Sequence, residues 1–250
     1  MKRYPLTALV LAGLCAAATA QAAPSPVSLK PVVRNWSVGL STTRVIYDPQ
    51  SRGEEVTVTN PNDYPVLVQS GVTEEDKKTP APYLVTPPLF RLEAGQRSRI
   101  RVVRTGGPAP AGRETLSWLC VTGIPPEQGD AWAGHEAPQR KAAELDVNVR
   151  LSRCIKLLLR PEGLSGGPEA QAGRVTWRRK GNTLEATNPT PFYMNLSSLS
   201  VGGKGIPQPG YIPPSGEAHW PLPANAAGPV QWRVITDIGS QGAVQRAPLP

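Results

Sequence analysis

Two histidines and three cysteines in 250 residues leave little room for metal chemistry. Neither His135 nor His219 has a second histidine or a cysteine at ligand spacing, so no metal site is expected. There is no glycine-rich loop ending in Gly-Lys-Ser/Thr to cradle phosphates, and no nucleotide or other cofactor is implied. The one sustained apolar stretch, from Leu6 to Ala18, is shorter than the roughly 20 residues a spanning helix needs, and no membrane span is expected. Apolar residues never recur at helical spacing over a useful length, which excludes a helical bundle. The formal charge of +8 would suit nucleic acid in a cytosolic protein. Here the basic residues (Arg97, Arg99, Arg101 and Arg104, then Arg174, Arg178, Arg179 and Lys180) are scattered rather than set among base-stacking aromatics. They read as solvated strand faces with a bias toward acidic partners, not as a nucleic-acid site.

The chain opens with Lys2 and Arg3, runs through the apolar stretch, and reaches Ala20-Gln21-Ala22, whose small residues suit a signal peptidase. Residues 1–22 are therefore expected to be a signal peptide, the mature chain to begin near Ala23, and the protein to be exported to the periplasm. Cys15 follows Leu14, where a lipobox carries a small residue, so lipidation is not expected. Export leaves Cys120 and Cys154, an even pair best read as one disulfide in an oxidising compartment, the alternative being two buried thiols.

What is abundant is period-two patterning bounded by Gly, Pro, Asn and Asp, which predicts an all-β protein. Val56-Thr57-Val58-Thr59 and Val66-Leu67-Val68-Gln69 flank the turn Asn60-Pro61-Asn62-Asp63. Further strands are expected at Leu89 to Leu92, Ser98 to Arg104, Thr115 to Thr122 and Leu145 to Leu159, a spacing typical of β-sandwiches. Two internal echoes suggest similar halves. Thr59-Asn60-Pro61 is matched by Thr187-Asn188-Pro189, and Trp118 has a counterpart in Trp232. Two tandem immunoglobulin-like β-sandwich domains follow, over 23–160 and 161–250, with Pro161 ending the long strand because it cannot donate to a ladder. Gly123 to about Ala143 is a long polar loop whose base the cysteines would pin, stabilising the domain by a few kcal/mol.

Leu145, Val147, Val149 and Leu151 alternate with polar residues, giving a strand with one apolar and one wet face. By itself that is the pattern of an ordinary edge strand. Lys156 lies just beyond this row on the opposite parity, and Arg44 opens the strand run Thr43-Arg44-Val45-Ile46-Tyr47. Two fixed cations near one sheet edge are able to grip a carboxylate, Arg by a bidentate contact and Lys as a point charge. Spacing alone does not bring them together.

Taken in order, several stretches resemble the periplasmic pilus chaperones. They are Thr43-Arg44-Val45-Ile46-Tyr47, Asn60-Pro61 before Tyr64-Pro65-Val66-Leu67-Val68-Gln69, Pro87-Pro88-Leu89-Phe90-Arg91-Leu92, Arg113-Glu114-Thr115-Leu116-Ser117-Trp118-Leu119, Gly123-Ile124-Pro125-Pro126 and Ile155-Lys156-Leu157 with Arg160-Pro161. Asn188-Pro189-Thr190-Pro191-Phe192-Tyr193 and Trp232 to Gly239 extend the likeness more loosely into the second half. The resemblance implies a chaperone that lends a strand to incomplete fimbrial or pilin-like subunits and hands them to an outer-membrane usher. Leu145, Val147, Val149 and Leu151 take the place of the donated row; Arg44 and Lys156 take that of the anchor for the subunit's C-terminal carboxylate. The long loop and the Cys120/Cys154 pair resemble the long F–G-loop branch, in which an extended N-terminal segment, here about Val27 to Leu40, helps contact subunits.

Two other readings compete. Gly163-Leu164-Ser165-Gly166-Gly167 fits the G-x-S-x-G pattern of a hydrolase, but Pro168 opposes the helix that must follow, and His219 precedes Asp237. No catalytic residue is therefore assigned. An exported adhesin built from immunoglobulin-like domains is the alternative function, opposed by the two cations beside an apolar edge. Such an edge invites aggregation and is expected to be capped in the free protein by self-association.

Overall fold

The computed structural model describes residues 32–107, 112–127, 130–132 and 146–250, with side chains except at 32–36 and 146–149. The leader, Leu145 and His135 lie outside the described residues. The first half carries strands β1 (Val32–Trp36), β2 (Gly39–Leu40), β3 (Arg44–Tyr47), β4 (Glu54–Thr59), β5 (Val66–Glu74), β6 (Tyr83–Thr86), β7 (Leu89–Leu92), β8 (Arg97–Arg104), β9 (Thr115–Ile124), β10 (Asp146–Arg150) and β11 (Ser152–Leu159). A five-stranded sheet in the order β3-β11-β9-β5-β7 faces a four-stranded sheet in the order β2-β4-β8-β6. Alternation builds the layer between them. Val66, Val68 and Val72 of β5, Leu119 and Val121 of β9, and Leu157 of β11 meet Val56, Val58, Ile100 and Val102 of the other sheet, all buried.

β4 and β5, the two strands flanking Asn60-Pro61, do not pair with each other; the chain passes there from one sheet to the other. Asn60, completely buried, fixes the crossing. Its side-chain amide donates to the carbonyls of Tyr64 (2.7 Å), Leu92 (3.1 Å) and Glu93 (3.0 Å), satisfying backbone acceptors that the switch would otherwise strand.

The second half follows a one-turn helix α1 (Pro168–Gln171) with strands β12 (Thr176–Lys180), β13 (Thr183–Asn188), β14 (Met194–Val201), β15 (Lys204–Gly205), β16 (Tyr211–Ile212), β17 (Gly216–Pro221), β18 (Val230–Val234) and β19 (Gln245–Ala247). The sheet β12-β13-β17 faces one built on β14 and β18. Asn188 repeats the role of Asn60, donating to Phe192 (2.8 Å), Ile212 (3.3 Å) and Pro213 (2.9 Å) carbonyls. The Thr-Asn-Pro echo thus marks one structural device used twice. The tryptophan echo does not. Trp232 is buried in the second core, its ring 5.1 Å from that of Trp177, whereas Trp118 faces out of its sheet and donates its indole N–H to the Glu75 carbonyl at 3.2 Å.

The strand expected over Leu145 to Leu159 is broken at Leu151. β11 pairs antiparallel with β9 from Leu159↔Thr115 up to Ser152↔Thr122, and there the ladder ends. β9 runs on to Ile124 with β5 along its opposite edge, while β10 pairs parallel with β1 instead, Val147 opposite Val33 and Val149 opposite Asn35. Cys120 and Cys154 are register partners on β9 and β11 and are joined as a disulfide across the ladder. Gly163–Gly167 runs between the halves, and α1 does start at Pro168, since proline is tolerated where a helix has no N–H to bond. It ends after four residues.

Candidate functional site

β3 and β11 run parallel with Arg44 opposite Lys156. Lys156 is in turn opposite Trp118 on β9, and Trp118 opposite Thr73 on β5. One row of side chains therefore crosses four strands on the outward face of the sheet, with both cations at its β3 end. Neighbouring strands lie about 4.8 Å apart, so the pairing that spacing could not establish is supplied by the ladder register. Thr42 sets the start of β3, its hydroxyl donating to the Arg44 carbonyl at 2.7 Å and accepting the Arg44 N–H at 3.3 Å.

Both cations sit under the second domain. Arg44 is 7% exposed, reaches the Ile235 carbonyl only at 3.5 Å, and keeps a buried Nε with no hydrogen-bond partner. Burial pulls its guanidinium below the ordinary value, against the opposing charges of Asp237 and Glu114. Lys156 donates from Nζ to the Asn195 side-chain oxygen, with the Tyr211 ring 4.5 Å and the Trp118 ring 5.8 Å away. Burial, then Arg44 and Lys77, lower its pKa to about 8, with Glu75 opposing. A carboxylate entering this cleft meets an incompletely satisfied guanidinium and an ammonium whose charged form its own negative charge would stabilise.

The rest of the cleft wall comes from residues that sequence reasoning passed over. Glu75 accepts the Tyr211 hydroxyl at 2.7 Å and the Tyr193 hydroxyl at 3.4 Å, while Lys77 lies 4.1 Å over the Trp118 ring. Deeper in, Arg160 donates to Glu114 at 2.8 Å and makes a two-pronged contact with Asp237 at 2.7 and 2.8 Å. Glu114 also accepts the Tyr193 backbone N–H at 2.8 Å. Leu116, Leu158 and Tyr193 are buried beside this clasp as a small apolar cluster joining the halves. Asp237 thus holds Arg160, and His219 stands on β17 with its Nδ1 3.8 Å from Glu185, so the residues of the hydrolase pattern are engaged elsewhere. Glu114, Arg160 and Asp237 lie within the stretches that resemble the family, but nothing in their local sequence shows that they meet.

Of the expected donor row, Val147 and Val149 lie in β10, Leu151 is 41% exposed at the break before β11, and Leu145 is outside the described residues. Among the described residues, β10 has no strand partner but β1. β11, which presents Lys156, is thus joined to this segment through the break at Leu151. The N-terminal segment expected near Val27 to Leu40 contributes β1 and β2.

Residues 37–165 match the family model described as "Pili and flagellar-assembly chaperone, PapD N-terminal domain", and 170–245 match "Pili assembly chaperone PapD, C-terminal domain". Chaperone protein AfaB of Escherichia coli is 53% identical over 193 residues, 76% of this chain and 78% of its own length. Chaperone protein PsaB of Yersinia pestis is 47% identical over 220 residues, 82% of this chain and 81% of its own. Among solved structures, the E. coli chaperone DraB is 48% identical with a TM-score of 0.77, covering 88% of this chain and all of that one. SafB, solved with the SafA pilin of Salmonella enterica, is 45% identical with a TM-score of 0.80 over the same shares. With two immunoglobulin-like domains matched in succession, the chain belongs to the PapD family of pilus-assembly chaperones.

Proposed function

We propose that this protein is a periplasmic chaperone of a chaperone–usher system, binding fimbrial or pilin-like subunits by strand donation and passing them to an outer-membrane usher. The observation that carries the reading is the direct pairing of Arg44 with Lys156 in a cleft walled by both domains, with the Arg44 Nε unpartnered. A subunit's terminal carboxylate fits there, and fixing that end sets the register of the alternating row, since a slip of one residue would turn every side chain to the wrong face. Residues 23–160 form the donating domain and 161–250 the second domain. Leu145, Val147, Val149 and Leu151 carry the donation, and the free protein caps the open edge of β10 by self-association. The chain is not an enzyme; its work is binding, and among the described residues no helix is long and apolar enough to cross a membrane. A solved relative bound to a pilin supports the partner class.

The test is co-expression with candidate fibre subunits and recovery of a soluble periplasmic complex, comparing wild type with Arg44→Ala and Lys156→Ala. Removing one partner of a buried charge contact typically costs about 2 kcal/mol or more, so subunit affinity is expected to fall at least about thirtyfold while the variants stay folded. Equal recovery from wild type and both variants would remove the carboxylate anchor from the mechanism.

A further inference from the structure

Lys156 is held before any partner arrives by a residue of the other domain. Asn195, on β14, is completely buried, and its position is over-determined: its N–H donates to the Tyr193 carbonyl at 3.1 Å, and its carbonyl accepts the Ile235 N–H at 2.7 Å. Its side-chain nitrogen faces the Tyr193 carbonyl at 3.4 Å, leaving the oxygen toward Lys156 Nζ. The amide orientation follows from chemistry as well, because an ammonium only donates and must meet the oxygen. Asn195 is also the register partner of Tyr211, whose ring covers the same ammonium.

We infer that Asn195 is a positioning residue that serves as a neutral stand-in for the subunit carboxylate, keeping Lys156 charged and aimed until the carboxylate displaces it; the inference rests on the carboxylate-anchor reading above. The residue type is what the task requires. An apolar residue would leave a buried ammonium without its oxygen partner, and the lysine would give up its proton near neutrality. An aspartate of the same shape would form a permanent ion pair and close the anchor to an incoming carboxylate. A neutral amide oxygen satisfies one of three donors without cancelling the charge. The other groups facing Lys156 are Arg44 and Lys77, which repel its proton, Glu75, which retains it, and the rings of Tyr211 and Trp118. Burial first, then the charges of Arg44 and Lys77 against that of Glu75, place its titration at about 8.

The experiment uses the mature chain and one probe, an alternating apolar peptide of about ten residues ending in a free carboxylate, alongside its C-terminal amide. Binding is measured from pH 6 to 9.5, and the Lys156 Nζ resonance is followed by NMR in the free protein. Wild type is expected to prefer the free acid, and that preference should weaken as pH rises through about 8 while Arg44 stays charged. Asn195→Asp should weaken the free acid by about tenfold at pH 7 while raising the Lys156 titration. Asn195→Leu should move both the titration and the binding preference to lower pH. Should Asn195→Asp fail to fold, Asn195→Ser, which keeps a neutral oxygen, should retain the preference with a titration between wild type and Asn195→Leu. Folded Asn195 variants that share the wild-type pH profile and affinity would overturn the inference. A wild type that does not distinguish acid from amide would instead overturn the anchor reading itself.

Discussion

If Lys156 is kept for binding rather than for folding, replacing it should make the free protein more stable. Burial, Arg44 and Lys77 lower its pKa from 10.5 to about 8. At about 1.4 kcal/mol per pH unit, this gives an upper bound of about 3 kcal/mol for the penalty on the charged form. Residual solvent contact screens part of this, and the Tyr211 ring returns about 1 kcal/mol, so Lys156→Met, which keeps the aliphatic stem, should gain about 1–2 kcal/mol at pH 7. The sign is the reverse of the usual lysine case. Between pH 8 and 10.5 the unfolded chain holds the proton that the folded chain has released, so wild-type stability rises with pH through that window. The tyrosines oppose this above pH 10, because burial raises Tyr83 and Tyr211 to about 12 and the folded state then holds the extra protons. Taking the difference between wild type and Lys156→Met cancels their contribution. Urea unfolding at pH 7, 8.5 and 10 should show the variant ahead at pH 7 and the gap closing by pH 10. A variant no more stable than wild type at pH 7, or a gap independent of pH, would refute the reasoning.

Two further outcomes follow from the interdomain clasp and the disulfide. Arg160→Ala leaves Glu114, whose side chain is 1% exposed, as a buried carboxylate without its cation and should cost about 3 kcal/mol, read by urea unfolding, with a broadened distribution of interdomain angles by small-angle scattering. Replacing Cys120 and Cys154 together by Ser opens a link spanning 34 residues and should lower stability by about 4 kcal/mol in the loop-entropy model, measured by thermal melting with and without reductant; a reductant-sensitive melt in the double variant would exclude this link as the cause.

Most of the strands were legible in the sequence because burial follows parity. Every second residue of Val66–Glu74 from Val66 to Val72 is buried, as a two-residue period demands. Partnership was less so, because a strand's pattern says which face is wet and not which neighbour it joins. Val56 to Thr59 and Val66 to Gln69 looked like companions across a tight turn, yet they run in different sheets, with Asn60 between them capping carbonyls at the entry to β5 and the end of β7. Likewise the alternation from Leu145 to Leu151 concealed the change of partner at Leu151, on one side of which β11 pairs with β9 and on the other β10 pairs with β1.

The cleft shows the same limit at the scale of a site. Arg44 and Lys156 stood out as cations on apolar strands, and family likeness drew attention to them, but their meeting is a fact of register. The residues that make the meeting useful come from 39 positions further along the chain at Asn195 and further still at Tyr211, each ordinary in its local context. Asn195 sits in a strand run between Met194 and Leu196, and only burial against an ammonium turns its amide into a choice with consequences. A buried polar group without a local reason is therefore the sequence signal to follow. Its partner must be supplied by another part of the fold, because leaving it unsatisfied costs more than any strand gains by its presence.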